Sequence, residues 1–127
     1  MEVVMLEIIA LVLLAQQPLQ PVAEGVASYY TVSSSSQLTA SGEQFRDDLM
    51  TCAMLDGEFG HYYLVVSDTG KSVVCKLNDR GPYIKNRVID LSEAAMEALS
   101  LSRNDGLLNV RVFHLGTEPI RPPNLVP

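Results

Sequence analysis

Lys76-Leu77-Asn78-Asp79-Arg80-Gly81-Pro82-Tyr83-Ile84-Lys85-Asn86-Arg87-Val88-Ile89-Asp90-Leu91-Ser92 is the stretch that decides how this chain is read. It sets two acids, Asp79 and Asp90, at the ends of two short apolar runs, with the turn Asp79-Arg80-Gly81-Pro82 between them. Glycine gives that turn backbone freedom and proline fixes φ, so it should hold one geometry. An acid at a strand end, beside a rigid turn carrying Arg80 and Tyr83, is an arrangement suited to a groove that binds or cleaves sugars.

Outward from that stretch the dominant period is two. Tyr62-Tyr63-Leu64-Val65-Val66 and Ser72-Val73-Val74-Cys75-Lys76-Leu77 flank Asp68-Thr69-Gly70-Lys71 and read as a hairpin. Val26 to Tyr30 and Leu108 to Phe113 alternate as half-buried strands do. One segment, Glu93 to Leu99, reads as a helix, with Ser92 as its N-cap. Many short strands with one or two short helices predict a mainly β fold, a small barrel.

The 127 residues suffice for one domain, and nearly half are hydrophobic. Residues 1–23 read as a signal-peptide-like leader, residues 25–116 as the domain and residues 117–127 as a Pro-rich tail. Ser33-Ser34-Ser35-Ser36 reads as a flexible loop. The apolar run Ile8 to Ala15 is shorter than the ~20 residues a bilayer span needs, so no stable membrane span is expected in the mature form. That run lacks the positive charge that ordinarily precedes a secretory segment. A formal net charge of -6 argues against nucleic acid as a partner. The small basic group around Arg80 fits either a solvated loop or ligand contact. Cys52 and Cys75 have no C-x-x-C spacing and no nearby His pair, so no metal site is expected. They fit one disulfide in an exported protein, or two buried thiols.

The chain resembles the rare-lipoprotein-A-like family of double-psi β-barrels. Gly25-Val26-Ala27-Ser28-Tyr29-Tyr30 is similar to that family's G-x-A-S-W-Y strand, and Thr39-Ala40-Ser41-Gly42-Glu43-Gln44-Phe45 to its T-A-S-G-E-x-F. Asn78 to Tyr83 resembles N-D-R-G-P-F, and Arg87 to Ala95 resembles R-x-I-D-L-S-x-A-A. The likeness runs from about Gly25 to Leu115 and extends more distantly to expansins, whose H-F-D-L-S resembles Ile89 to Ser92. It implies a six-stranded double-psi β-barrel, secreted or periplasmic in the cell envelope, with peptidoglycan glycan strands as partner. It also implies lytic transglycosylase activity in some members, and no cofactor is expected. The alternative is an expansin-like, non-catalytic glycan-binding module. A monomer is expected.

By the same resemblance Asp79 is the acid that protonates the glycosidic oxygen, Glu43 its assistant, and Asp90 a third acid of the expansin type. Each has a plainer reading: Asp79 as a turn cap, Glu43 as a solvated loop residue, Asp90 as support for the helix start. Arg80, Tyr83, Tyr30 and Asp90 are the expected ligand contacts. Tyr62 and Tyr63 are adjacent on a strand and must point to opposite faces. Two departures stand out: Arg46 replaces an acid of the family, and Met54 replaces its histidine, and methionine cannot exchange a proton. His61, seven residues on, is a poor replacement by sequence distance.

Overall fold

The computed structural model describes residues 19–30, 38–99 and 107–121. The expected leader, the Ser33 to Ser36 loop and the end of the Pro-rich tail lie outside these residues. Six strands, β1 (Ala23–Tyr30), β2 (Thr51–Ala53), β3 (Tyr62–Ser67), β4 (Ser72–Asp79), β5 (Arg87–Ser92) and β6 (Leu108–Gly116), accompany one helix, α1 (Glu93–Leu99), among the described residues. The strands close into a barrel in the order β1-β5-β2-β4-β3-β6. The β1–β5 and β2–β4 pairs are parallel and the remaining pairs antiparallel. This is the double-psi barrel that the resemblance implied.

The predicted hairpin is present, with Tyr63 opposite Cys75 and Leu64 opposite Val74. Its turn closes through Ser67 N–H to Lys71 O (2.8 Å) and Gly70 N–H to Ser67 O (3.0 Å). Side chains alternate across each strand. Ala27, Tyr63, Val65, Val73, Cys75, Leu77, Ile89, Leu91, Val110 and Val112 therefore fill the interior. A smaller cluster, Leu64, Val66 and Phe113, packs on the other face of β3 and β6. Removing a fully buried side chain such as Leu77 costs about 2–5 kcal/mol on truncation to alanine.

Ser92 does cap α1: its Oγ accepts the Ala95 N–H at 3.2 Å. The same hydroxyl donates to Leu49 O at 2.6 Å and accepts the Thr51 N–H at 3.3 Å. One buried serine thus starts the helix and fixes the entry into β2, the short strand at the centre of the site.

Candidate active site

Strand pairing assembles a row that no segment contains by itself. Ala53 on β2 pairs with Asp79 on β4 on one side and with Asp90 on β5 on the other. Asp90 in turn pairs with Ser28 on β1. The row Asp79, Ala53, Asp90, Ser28 crosses four adjacent strands. Cys52, Ile89, Leu91 and Ala27, strand neighbours of Ala53, Asp90 and Ser28, are fully buried in the core, so alternation turns those three residues away from it, and Asp79 joins them through the register shift between Cys52 and Ala53.

The two acids sit in different surroundings. Asp79 Oδ1 accepts two backbone N–H groups at 2.9 Å each, from Ala40 and from Arg80. The first bond fastens the 39–43 loop over the end of β4, with help from Ser41 N–H to Asn78 O at 3.1 Å. Asp90 is half-buried and accepts a hydrogen bond from Ser28 Oγ on Oδ1. Burial pushes its carboxyl above the ordinary range. The Ser28 bond and the Arg87 charge offset part of that rise, and the Asp79 charge adds to it.

Gly81, at φ +126°, lies over this pair, in a conformation that disfavours any side chain. A Cβ there would sit 3.8 Å from Asp90 Oδ2 and 3.6 Å from the Tyr83 ring. Tyr83, 81% exposed, presents a free aromatic face next to the Gly81 turn. Tyr30 packs on Phe45, with ring centroids 4.6 Å apart. Its hydroxyl is buried without a hydrogen-bond partner among the described residues, although Thr51 lies beside it. Burial, then the neighbouring Cys52 and Asp79, pushes this phenol well above its usual value.

The other expected residues fall around this row. The Glu43 carboxylate turns to Lys76 Nζ (3.1 Å) and Ser41 Oγ (3.3 Å), on the flank of the 39–43 loop. Arg80 binds Gly57 O (2.7 Å) and Met54 O (3.4 Å) and lies 4.2 Å over the Phe59 ring. Its guanidinium thus ties β4 to the 54–60 loop, a role that neither sequence reading of the basic group included. Met54 is packed in the core. Arg46 pairs with Asp48 at 2.6 Å on the exposed surface. Tyr63 is buried and Tyr62 half-buried, as their opposed directions require. Cys52 and Cys75 are buried free cysteines with sulfurs 2.8 Å apart, and burial raises the Cys52 thiol. Ser28 and Ala53 were not singled out, although Ser28 lies inside the quoted opening motif. No three His, Cys, Asp or Glu side chains among the described residues converge as a metal cluster would need.

A closed barrel of this topology, with two carboxyls set either side of Ala53, defines a class, and the comparisons agree with it. The family model described as "Lytic transglycolase" matches residues 22–112. The chain belongs to that family, and to its RlpA-like double-psi barrels. It is 44% identical over 92 residues to the probable endolytic peptidoglycan transglycosylase RlpA of Treponema pallidum, covering 72% of this chain and 29% of that protein. It is 35% identical over 99 residues to the endolytic peptidoglycan transglycosylase RlpA of Pasteurella multocida, covering 77% and 32%. The chain thus spans about a third of the length of these curated relatives. Among solved structures it is similar in fold to a Streptomyces papain inhibitor, with TM-score 0.59, 18% identity, and 76% and 98% of the two chains covered. An apo expansin of Clavibacter michiganensis gives TM-score 0.58 at 20% identity, covering 79% and 50%.

Proposed function

We propose that this domain cleaves peptidoglycan glycan strands as a lytic transglycosylase, with Asp90 and Asp79 as its two working carboxyls. The observation that carries this reading is the row of strand pairs in which Ala53 alone separates the two acids. Family membership and the activity for which the relatives are named support the substrate class.

The reaction breaks the bond from C1 of N-acetylmuramic acid to the glycosidic oxygen of N-acetylglucosamine. A neutral carboxyl gives its proton to that oxygen as the bond breaks. The 6-hydroxyl of the muramic acid then bonds to C1, and its proton passes to a carboxylate. No water is consumed, and the product is a 1,6-anhydro sugar. The donor must still hold its proton near neutral pH. Burial favours this at Asp90, so Asp90 is the donor. Asp79, held in place by Ala40 and Arg80, receives the 6-hydroxyl proton. This moves the donor role away from Asp79, where resemblance alone put it. Two strand spacings separate the acids by about 10 Å at Cα. Tyr83 offers a face for an adjoining sugar. Glu43, through Lys76 and Ser41, steadies the loop that reaches Asp79.

Mass spectrometry of purified glycan strands after incubation tests this reading. Anhydro-muramic ends should appear with the native protein and vanish with Asp90→Asn. A second reading, a non-catalytic glycan-binding module, is favoured by one observation: Met54, in the place of the family's histidine, is core-packed. Retained glycan pull-down with no anhydro product at high protein concentration would select it.

We also propose that the chain is exported, secreted or periplasmic, as a monomer with Cys52 and Cys75 joined. The closeness of the two buried sulfurs supports the bond. Forming it removes two electrons and two protons, passed by exchange to a disulfide-bearing oxidoreductase. The closed loop contributes about 3 kcal/mol in the chain-entropy model. Intact mass of exported protein, with and without reductant, should differ by two hydrogens. Two free thiols would reject the bond.

A further inference from the structure

A second row of strand pairs runs beside the acid row. Thr51 on β2 pairs with Lys76 on β4, and Lys76 pairs with Tyr62 on β3. Along β2 this row lies two residues before Ala53, but along β4 it lies three residues before Asp79. The register absorbs the difference at Asn78: Cys52 pairs with Leu77 and Ala53 with Asp79, so Asn78 is passed over. Asn78 is thus the extra residue of a β-bulge, a device by which a strand re-aims a side chain next to a site.

The Asn78 amide holds an unspent group. The residue is only 4% exposed, and its Oδ1 is buried with no hydrogen-bond partner among the described residues. A buried polar atom left unpaired is uncommon and calls for a cause. A half-turn of the amide exchanges its oxygen and nitrogen ends, so a ligand beside it can meet an acceptor or a donor.

Asn78 lines a pocket of about 200 Å³, with Thr51, Tyr62 and Lys76 as its other strand residues. That volume is below the ~300 Å³ of drug-sized ligand sites and suits a single sugar residue. The charges around it cancel. Lys76 Nζ pairs with Glu43 at 3.1 Å, and Arg46, which also lines the pocket, pairs with Asp48 at 2.6 Å. A neutral ligand therefore suits it. Gln44 adds a second neutral amide, and the exposed Leu49 and Met50 add apolar surface. An acetamido group matches this set. Its N–H and C=O suit the Asn78 amide and the two ammonium donors that Lys76 does not spend on Glu43. Its methyl suits Leu49 and Met50, and the half-buried Tyr62 ring offers a face to the sugar.

We infer that this pocket is a subsite for a neutral N-acetylated sugar, recognised through its acetamido group. The inference rests on the reading that a glycan strand lies along the acid row. Asn78 directly precedes Asp79, so a strand passing Asp79 brings a neighbouring sugar to the pocket. The subsite makes the domain selective for N-acetylated strands over plain glucans.

Calorimetric titration of the full chain tests this with two neutral probes, the β-1,4 tetramer of N-acetylglucosamine and cellotetraose, which carries a hydroxyl in place of each acetamido group. The N-acetylated probe should bind roughly tenfold more tightly or better, and cellotetraose below detection counts with the latter. Asn78→Leu keeps the volume and removes the amide. It should cost roughly tenfold toward the N-acetylated probe alone, with the melting temperature unchanged, because the buried oxygen it deletes is unpaired. Met50→Ser, at an exposed position that does not threaten folding, should cost about threefold toward the same probe. Equal affinity of the native protein for both probes overturns the subsite alone. So does a pair of variants that leave the preference intact or weaken both probes equally. A lowered melting temperature in Asn78→Leu with the preference intact would make Asn78 a structural residue. Binding of neither probe overturns the glycan reading together with the subsite.

Discussion

Asp79 and Asp90 make an instructive pair. They are the same residue type, they lie across one alanine from each other, and each belongs to one of the two parallel strand pairs. Asp79 ends β4 and is gripped by main-chain N–H groups, one from a loop folded over it. Asp90 lies within β5, half-buried under the Gly81 turn, and its partner is a side-chain hydroxyl. The barrel's near-repeat supplies two acids, and burial raises the proton affinity of Asp90. Environment, and not residue type, is what sets the two acids apart.

The comparison breaks most visibly in turnover. Asp90→Asn and Asp79→Asn should each lower the rate of anhydro-product formation by roughly 10³-fold or more, and the double variant should lose little beyond either single one, because the two act as a unit. Rates from quantitative muropeptide chromatography check this, and additive losses would show that the acids work independently. Ala53→Leu comes next. Its side chain would fill the gap between the acids at a site only 3% exposed. It should destabilise by about 1–3 kcal/mol and remove glycan binding, measured by urea unfolding and pull-down.

Ser28→Ala sharpens the contrast on the Asp90 side. The Ser28 bond lowers the Asp90 carboxyl's proton affinity, so its loss should move the alkaline limb of the pH–rate profile to higher pH. A limb that stays put would assign the donor role elsewhere. The stability cost should be about 1 kcal/mol. Asp90 also governs stability against pH. Its folded-state proton affinity is raised above the unfolded one. Its contribution is therefore complete below the ordinary carboxylate range and is lost as pH rises through the folded value. Asp90→Asn should melt progressively higher relative to the native protein as pH rises from the ordinary carboxylate range, by calorimetry. The smallest effect belongs to Tyr83→Ala. At 81% exposure it should leave stability within about ±0.5 kcal/mol while weakening glycan pull-down.

Much of this was legible along the chain. The hairpin, the strand from Leu108, the helix and its Ser92 cap follow from local periodicity and capping chemistry, which act over a few residues. The two acids were visible as types beside a Gly-Pro turn, and their motifs gave the family. Other features came from pairing between distant segments. His61 looked too far along the chain to matter near Met54, yet β3–β6 pairing sets it against His114 in a cavity that Met54 also lines. Glu43 was legible as a loop acid, but its ion pair with Lys76, 33 residues on, was not.

By itself, then, the sequence determined a mainly β barrel of this family, with Asp79, Glu43 and, third, Asp90 as acids of interest. Only the tertiary structure decided that Ala53 lies between them, that Ser28 holds one of them, and that the two cysteine sulfurs meet. The physical reason is that side-chain alternation and capping are written locally, whereas parallel pairing joins strands far apart in the chain. Burial, which raises Asp90, exists only once those strands have closed around it.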